Sequence, residues 1–281
     1  MSSAASEEDE PMRYARVLAL AGATVLSATA SQGADLMVPP PIPQPVEAFG
    51  GWYLRGDIGM TNQLVDDLQN VLFPGTPRLA MRDKNFESGM LFGIGAGFQW
   101  NNWLRTDVTG EYRGEVTFHG FDTWHDGTSR RFNNYTATKS EWLWLANAYF
   151  DLGTWWQVTP FVGGGVGMAN VIIHSFRDAG TTALAGSPTM AFAPAASTWN
   201  FAWALHAGLA FQATPNFTVE LAYRYVNLGN GQSGDIVAFD GTNFFNNPME
   251  FRNLSSHDVR LGVRWTFGGF VEPPPVIGPR G

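Results

Sequence analysis

Val-Arg-Leu-Gly-Val-Arg-Trp-Thr-Phe, residues 259–267, alternates apolar with polar or small side chains without a break. Val259, Leu261, Val263, Trp265 and Phe267 share one face; Arg260 and Arg264, with Asp258 just before them, share the other. Period two is the spacing of a β-strand, on which successive side chains point to opposite faces. One face is greasy and the other charged, and which of them is buried decides the fold.

Working back towards the N-terminus, seven more segments repeat the pattern. Residues 51–62 oppose Trp52, Leu54, Ile58 and Met60 to Arg55 and Asp57, and residues 88–100 oppose Met90, Phe92, Ile94, Phe98 and Trp100 to Gly93, Gly95, Gly97 and Gln99. Residues 103–118 set Leu104, Val108, Tyr112, Val116 and Phe118 against Arg105, Asp107, Glu111, Arg113 and Glu115. In 141–152, Trp142, Trp144, Ala146, Ala148 and Phe150 face away from Glu141, Asn147 and Tyr149. The glycine-rich stretch 159–173 is read with Val162, Val166 and Met168 outside and Gly163, Gly165 and Gly167 inside. Residues 198–214 oppose Trp199, Phe201, Trp203, Leu205, Leu209 and Phe211 to Asn200, His206 and Gln212; 217–227 oppose Val219, Leu221, Tyr223 and Tyr225 to Glu220 and Arg224. The connections at 101–102, 153–158 and 215–216 are short, whereas those near 63–87, 119–140, 174–197 and 228–257 are long and rich in Gly, Asn, Asp, Ser and Thr. Short turns at one end and long polar loops at the other describe an up-and-down meander between two unlike compartments, with both termini on the short-turn side.

Composition says which face is inside. The 281 residues include 11 Trp, 21 Phe and 32 Gly, no Cys, and 15% charged residues, a low share for a soluble protein. Mean hydropathy is only -0.11, so apolar residues are interleaved with polar ones. Only Lys84 and Lys139 are lysines among 17 basic residues. Arginine is favoured where an ion pair is buried in fixed geometry, and a solvated face would use lysine freely. The charged faces also hold both signs in near balance. An interior closed by eight strands could hardly hold large aromatics from every strand. Both points invert the sheet, with aromatic rings in lipid and ion pairs inside. The predicted fold is therefore all-β, an eight-stranded antiparallel up-and-down transmembrane β-barrel. Its lumen is expected to contain an ion-pair network of Arg55, Asp57, Arg105, Asp107, Glu111, Arg113, Glu141, Glu220, Arg224, Asp258, Arg260 and Arg264. Tryptophans gather near strand ends, Trp52, Trp100, Trp103, Trp155, Trp156 and Trp265 at the short-turn end and Trp142, Trp144 and Trp199 towards the loops, as two interfacial belts would require.

The ends of the chain read as non-barrel. Residues 1–34 read as an export signal: Met12-Arg13-Tyr14-Ala15-Arg16 is its basic head, residues 17–30 its apolar stretch, and Ala28-Thr29-Ala30 a cleavage motif, with cleavage after Ala34 as the rival. The acidic run before Met12 suits a signal poorly, which points to Met12 as the translation start. Residues 35–50 are a Pro-rich periplasmic linker, and 268–281 a Pro-rich tail that cannot readily add a strand.

Several stretches, among them GWYLRGDIGM (51–60), WLRTDVTGEYRGEVTF (103–118), NAYFDLGTW (147–155), TPFVGGGVGMA (159–169), LAYRYVNLG (221–229) and the closing VRLGVRWTF, resemble the small outer-membrane surface antigens of Brucella and other alphaproteobacteria. These are porin-like, opacity-type barrels. The resemblance implies an outer-membrane location and a structural or surface-exposed role as antigen or interaction partner. It also implies that Leu261, Val263, Trp265 and Phe267 form the signal read by the barrel-assembly machinery. The tail departs from the family pattern, whose members usually end at this Phe.

The expected partners are outer-membrane lipids and lipopolysaccharide, the assembly machinery, and host or surface ligands at the long loops. A formal charge of -8 gives no reason to expect nucleic acid. No cofactor and no enzymatic activity are expected. Two alternatives stand beside the filled barrel: a narrow porin-like channel for small solutes, and a haem-binding surface protein using His119, His125 or His174. An enzyme reading would draw on His174-Ser175 or Ser255-Ser256-His257-Asp258, whose side chains would have to converge in space.

Overall fold

The computed structural model describes residues 50–267 apart from Asp126 and residues 182–186. The expected signal, linker and tail lie outside the described residues. Among the described residues twelve strands run in chain order: β1 (Gly51–Leu64), β2 (Asp67–Gln69), β3 (Ala80–Phe86), β4 (Gly89–Gln99), β5 (Leu104–His125), β6 (Arg130–Asp151), β7 (Val158–Thr181), β8 (Pro188–Ala193), β9 (Ala196–Thr214), β10 (Phe217–Gln232), β11 (Val237–Ala238) and β12 (Glu250–Phe267).

Eight of them close a ring. Antiparallel ladders join β1 to β4, β4 to β5, β5 to β6, β6 to β7, β7 to β9, β9 to β10, β10 to β12, and β12 back to β1. Closure pairs every ladder edge, which a β-structure in hydrocarbon requires because no water is there to bind free N–H and C=O groups. β12 closes the ring. Leu261 lies opposite both Ile58 and Leu221, which places three apolar side chains side by side on the outer surface. The four short strands lie at the long-loop end, where β2 extends β12, β3 lies on β5, β8 on β7, and β11 on β8. At the other end the turns are tight. Asn101 Oδ1 accepts from the backbone N–H groups of Trp103 (3.0 Å) and Leu104 (2.8 Å).

The sheet is inside-out through its membrane half. Trp52, Leu221, Val263 and Trp265 are exposed, whereas Arg105, Arg113 and Arg224 are fully buried. Val162, Val166 and Met168 face outward, with Gly163, Gly165 and Gly167 on the opposite face.

Above this zone the strands continue much further than their alternation suggests. The sequence ends the third segment at Phe118 and begins the fourth at Glu141, yet β5 and β6 stay paired as far as His125 and Arg130. The reason is a set of β-bulges that shift the alternation by one residue. In β5, Arg113 points in, Gly114 and Glu115 both point out, and Val116 points in again, with a register break between Arg113 and Val116. His174 and Ser175 in β7, Gly229 and Asn230 in β10, and Arg252 and Asn253 in β12 repeat the arrangement. Ser175, Asn253 and Gly229 adopt positive φ of 54°, 51° and 78°, the left-handed geometry of one type of bulge, whereas the β5 bulge forms without it. Two readings are corrected here. Val116 and Phe118, expected outside, are buried in the barrel, and Glu115, expected inside, is exposed.

Candidate functional site

The interior below the bulges is ionic and divides into two clusters. In the periplasmic cluster, Arg55 donates to Asp57 (2.8 Å) and Asp107 (2.9 Å), and Arg105 donates to Asp151 (3.1 Å). Glu220 collects Arg105 (3.1 Å), Arg264 (3.3 Å) and Arg55 (3.4 Å). The Arg105 guanidinium lies over the rings of Tyr149 and Phe161, 4.3 and 4.6 Å from their centroids. In the outer cluster, Arg113 bridges Glu141 (2.7 Å), Asp258 (2.9 Å) and Glu111 (3.1 Å), and Arg224 reaches Glu111 and Asp258, both at 2.6 Å. Lys139 pairs with Glu141. Arg260 sits between the clusters, 3.8 Å from Glu111.

All twelve residues singled out from the sequence for the lumen are buried. Two more belong with them. Asp151 and Lys139 are odd-numbered like Glu141, Asn147 and Tyr149, so extending the same phase one step each way along β6 finds both. The buried set below the bulges is then seven cations (Arg55, Arg105, Arg113, Lys139, Arg224, Arg260, Arg264) and seven carboxylates (Asp57, Asp107, Glu111, Glu141, Asp151, Glu220, Asp258). Leu261, Val263, Trp265 and Phe267, the expected assembly signal, are all exposed on the outer surface of β12.

Of the two serine-histidine clusters, residues 255–258 do not assemble. Strand alternation sends Ser256 and Asp258 into the lumen, where Ser256 accepts from Arg113 (2.6 Å). His257, between them, faces outward and meets the Tyr223 hydroxyl at 2.5 Å. His119 lies beside Glu87 (3.4 Å), and on the same outer surface His174 does meet Ser175 (Nδ1 to Oγ, 3.0 Å), with its Nε2 3.4 Å from Glu115.

Above the bulges the lumen changes character. Phe86, Phe118 and Phe251 belong to an apolar cluster that plugs the barrel and reaches down past the bulges to Leu254, Val171 and Ile173. Higher still, three neighbouring strands bring Asp122 (β5), Asn133 and Tyr135 (β6) and Asp178 (β7) to one level of the mouth. Asp122 accepts hydrogen bonds from the Tyr135 hydroxyl (2.5 Å) and Asn133 Nδ2 (3.1 Å). Burial raises its pKa even so. Burial and the nearby Asp122 together push Asp178 up to about 7. Burial likewise raises Tyr135. The mouth opens into a cavity of about 360 Å³ roofed by Phe73, Gly75 and Pro77.

A closed antiparallel ring with an apolar outer band, buried ion pairs and long extensions on one side defines an integral outer-membrane β-barrel. The description "Outer membrane protein beta-barrel domain" matches residues 18–267, and the chain belongs to that family. An uncharacterised protein of Brucella abortus is 28% identical over 86% of this chain and 95% of its own length. An adhesin candidate of Rickettsia prowazekii is 25% identical over 90% of this chain and 99% of its own. Among solved structures, the outer membrane protein OprG from Pseudomonas aeruginosa aligns over 79% of this chain and 98% of its own, with a TM-score of 0.47 and 10% identity.

Proposed function

We propose that this outer-membrane protein is a filled barrel whose work is done by its outer crown, as a surface-displayed interaction scaffold rather than a pore or an enzyme. The filled lumen carries this reading. Arg105, Arg113 and Arg224 are wholly buried among carboxylates, and Phe118, Phe251 and Leu254 form a second, apolar stopper above them. An eight-stranded ring has an interior just wide enough for its own side chains. The crown, by contrast, exposes Phe239, Phe244 and Phe245 to solvent, and clustered exposed apolar surface on a soluble-facing region marks contact sites. A relative described as an adhesin candidate fits the same role. Lipids and lipopolysaccharide would surround the apolar band, the assembly machinery would read Leu261, Val263, Trp265 and Phe267, and host or cell-surface ligands would meet the crown.

The test pairs two measurements. Purified protein in planar bilayers is expected to give no reproducible unitary openings. Bacteria expressing the protein are expected to lose surface attachment when residues 236–247 are replaced by a Gly/Ser loop. A narrow-channel reading has one observation in its favour, since nitrogens of Arg105, Arg260 and Arg264 lack hydrogen-bond partners in the periplasmic half of the lumen. Steady openings in the bilayer would select it and reject the filled barrel.

A further inference from the structure

Every buried carboxylate below the bulges lies within reach of an arginine or lysine, and the mouth breaks this rule. Asp122 is 0% exposed and accepts only from neutral groups, Tyr135 and Asn133. Asp178 is half-buried, and its Oδ1 is shut off from solvent with no hydrogen-bond partner among the described residues. Leaving buried carboxylates without a cation is costly, and a fold that neutralises seven others inside the same barrel could have neutralised these.

The two groups border a space. The cavity of about 360 Å³ holds both carboxylates beside the rings of Phe73, Trp124 and Tyr135. A second cavity, of about 380 Å³, adjoins it through Leu72, Asp178, Ile236 and Asn247, and is walled by Met190, Phe244 and Phe245. Among the described residues no Lys, Arg or His lines either cavity. Each falls within the size of small-molecule pockets, about 300–1,000 Å³. Two carboxylates among aromatic faces suit an organic cation, which gains from ion pairing and from the ring quadrupoles together. Hard divalent metals want about six or more oxygen ligands, and no group of three or more metal-binding side chains occurs among the described residues.

We propose that the crown binds an ammonium or guanidinium group carried on an apolar stem, the cation seated between Asp122 and Asp178 and the stem lying along Phe244 and Phe245. The inference deepens the interaction role proposed above and rests on it for its biological meaning. The cation has two possible sources, a free polyamine or a lysine or arginine side chain of a partner polypeptide.

The experiment uses the full chain folded in lipid nanodiscs and titrated calorimetrically with n-hexylammonium, with hexan-1-ol as the neutral match. Saturable single-site binding of the amine, and none of the alcohol, is expected. Asp178→Asn and Asp122→Asn should each weaken it at least about tenfold, as removing one member of a buried charge pair does. Glu250→Gln, on the exposed rim, should leave binding unchanged, and a heat-dependent gel shift shows that each variant is folded. Binding should also release protons at pH 7, so its heat should vary with the ionisation enthalpy of the buffer. Spermidine and the peptide Ac-Ala-Leu-Lys-Leu-Ala-amide separate the sources, and tighter binding of either supports the site. Equal binding of hexanol, amine binding that survives Asp178→Asn, or no saturable heat would overturn the proposal. Attachment by bacteria is scored separately. Amine binding without attachment removes the interaction reading alone, whereas attachment by wild type with no amine binding removes this site alone.

Discussion

The two halves of the barrel obey opposite rules. Between the short turns and the bulges the outside is apolar and the inside holds the ion pairs; beyond the bulges an apolar plug fills the inside below the mouth carboxylates, and the outside turns polar. In β5, Asp107, Glu111 and Arg113 point inward below the bulge, while Val116 and Phe118 point inward above it. Outside, Val108 and Tyr112 give way to Glu115 and His119. The same ladder thus crosses from hydrocarbon to water, broken only at the bulge between Arg113 and Val116, and the side-chain pattern turns over there. The solvent, not the strand, dictates which face is greasy.

Four outcomes would break or sharpen this contrast, beginning with the largest. Arg113→Ala strips a shared cation from Glu111, Glu141 and Asp258, all buried. It should cost about 3–5 kcal/mol, read from urea unfolding of the lipid-folded protein. If the loss stays under a kilocalorie, the lumen is wet and the filled-barrel reading is wrong. Next, Leu221→Arg places a cation on the lipid face opposite Leu261 and should cost about 2–4 kcal/mol. Asn134→Arg, on the exposed outer face of the crown, should fall within about 0.5 kcal/mol of wild type. Equal costs would mean that lipid does not end at the bulges.

The third concerns pH. Asp178 titrates at about 7 in the folded crown, above an ordinary carboxylate. The folded form therefore binds its proton more tightly than the open form does. The destabilisation is fully present above about pH 7 and disappears below the free-carboxylate range near 4. Acidifying from pH 8 to 5.5 should slow proteolysis of residues 70–79, and Asp178→Asn should flatten that dependence. A profile that rises with acid in both proteins would place the titration elsewhere. The last outcome concerns Arg252→Ala. This removes a half-exposed rim pair with Glu250 (2.8 Å) and should change stability by no more than about 1 kcal/mol.

The membrane half was legible in the sequence because nothing interrupts its period. Residues 217–227 and 259–267 alternate cleanly, so faces and lumen charges follow from counting, and Asp151 and Lys139 required only one further step. The crown was not legible for the same reason in reverse. Gly114-Glu115 shifts the phase, so counting onward assigned Phe118 to lipid when it is fully buried. Beyond that point the mixture of Gly, Asn, Ser and Thr reads as loop, though β5 and β6 run paired to their tips. The mouth was invisible altogether. Asp122, Tyr135 and Asp178 are separated along the chain and meet only because the extended ladder aligns them. The hydroxyl, imidazole and carboxylate of residues 256–258 show the converse, since neighbours in a strand are kept apart by its two faces.

The paired outward residues also constrain how such a chain can change length. In β5 odd numbers point into the lumen up to Arg113 and even numbers from Val116 onward. Loss of one residue at Gly114-Glu115 straightens the strand and leaves every other side chain on its present side, whereas a single insertion anywhere else in the ladder reverses all that follow it. Relatives should therefore differ by single residues at these four positions and by runs of any size at the loop tips, and hold a constant count between.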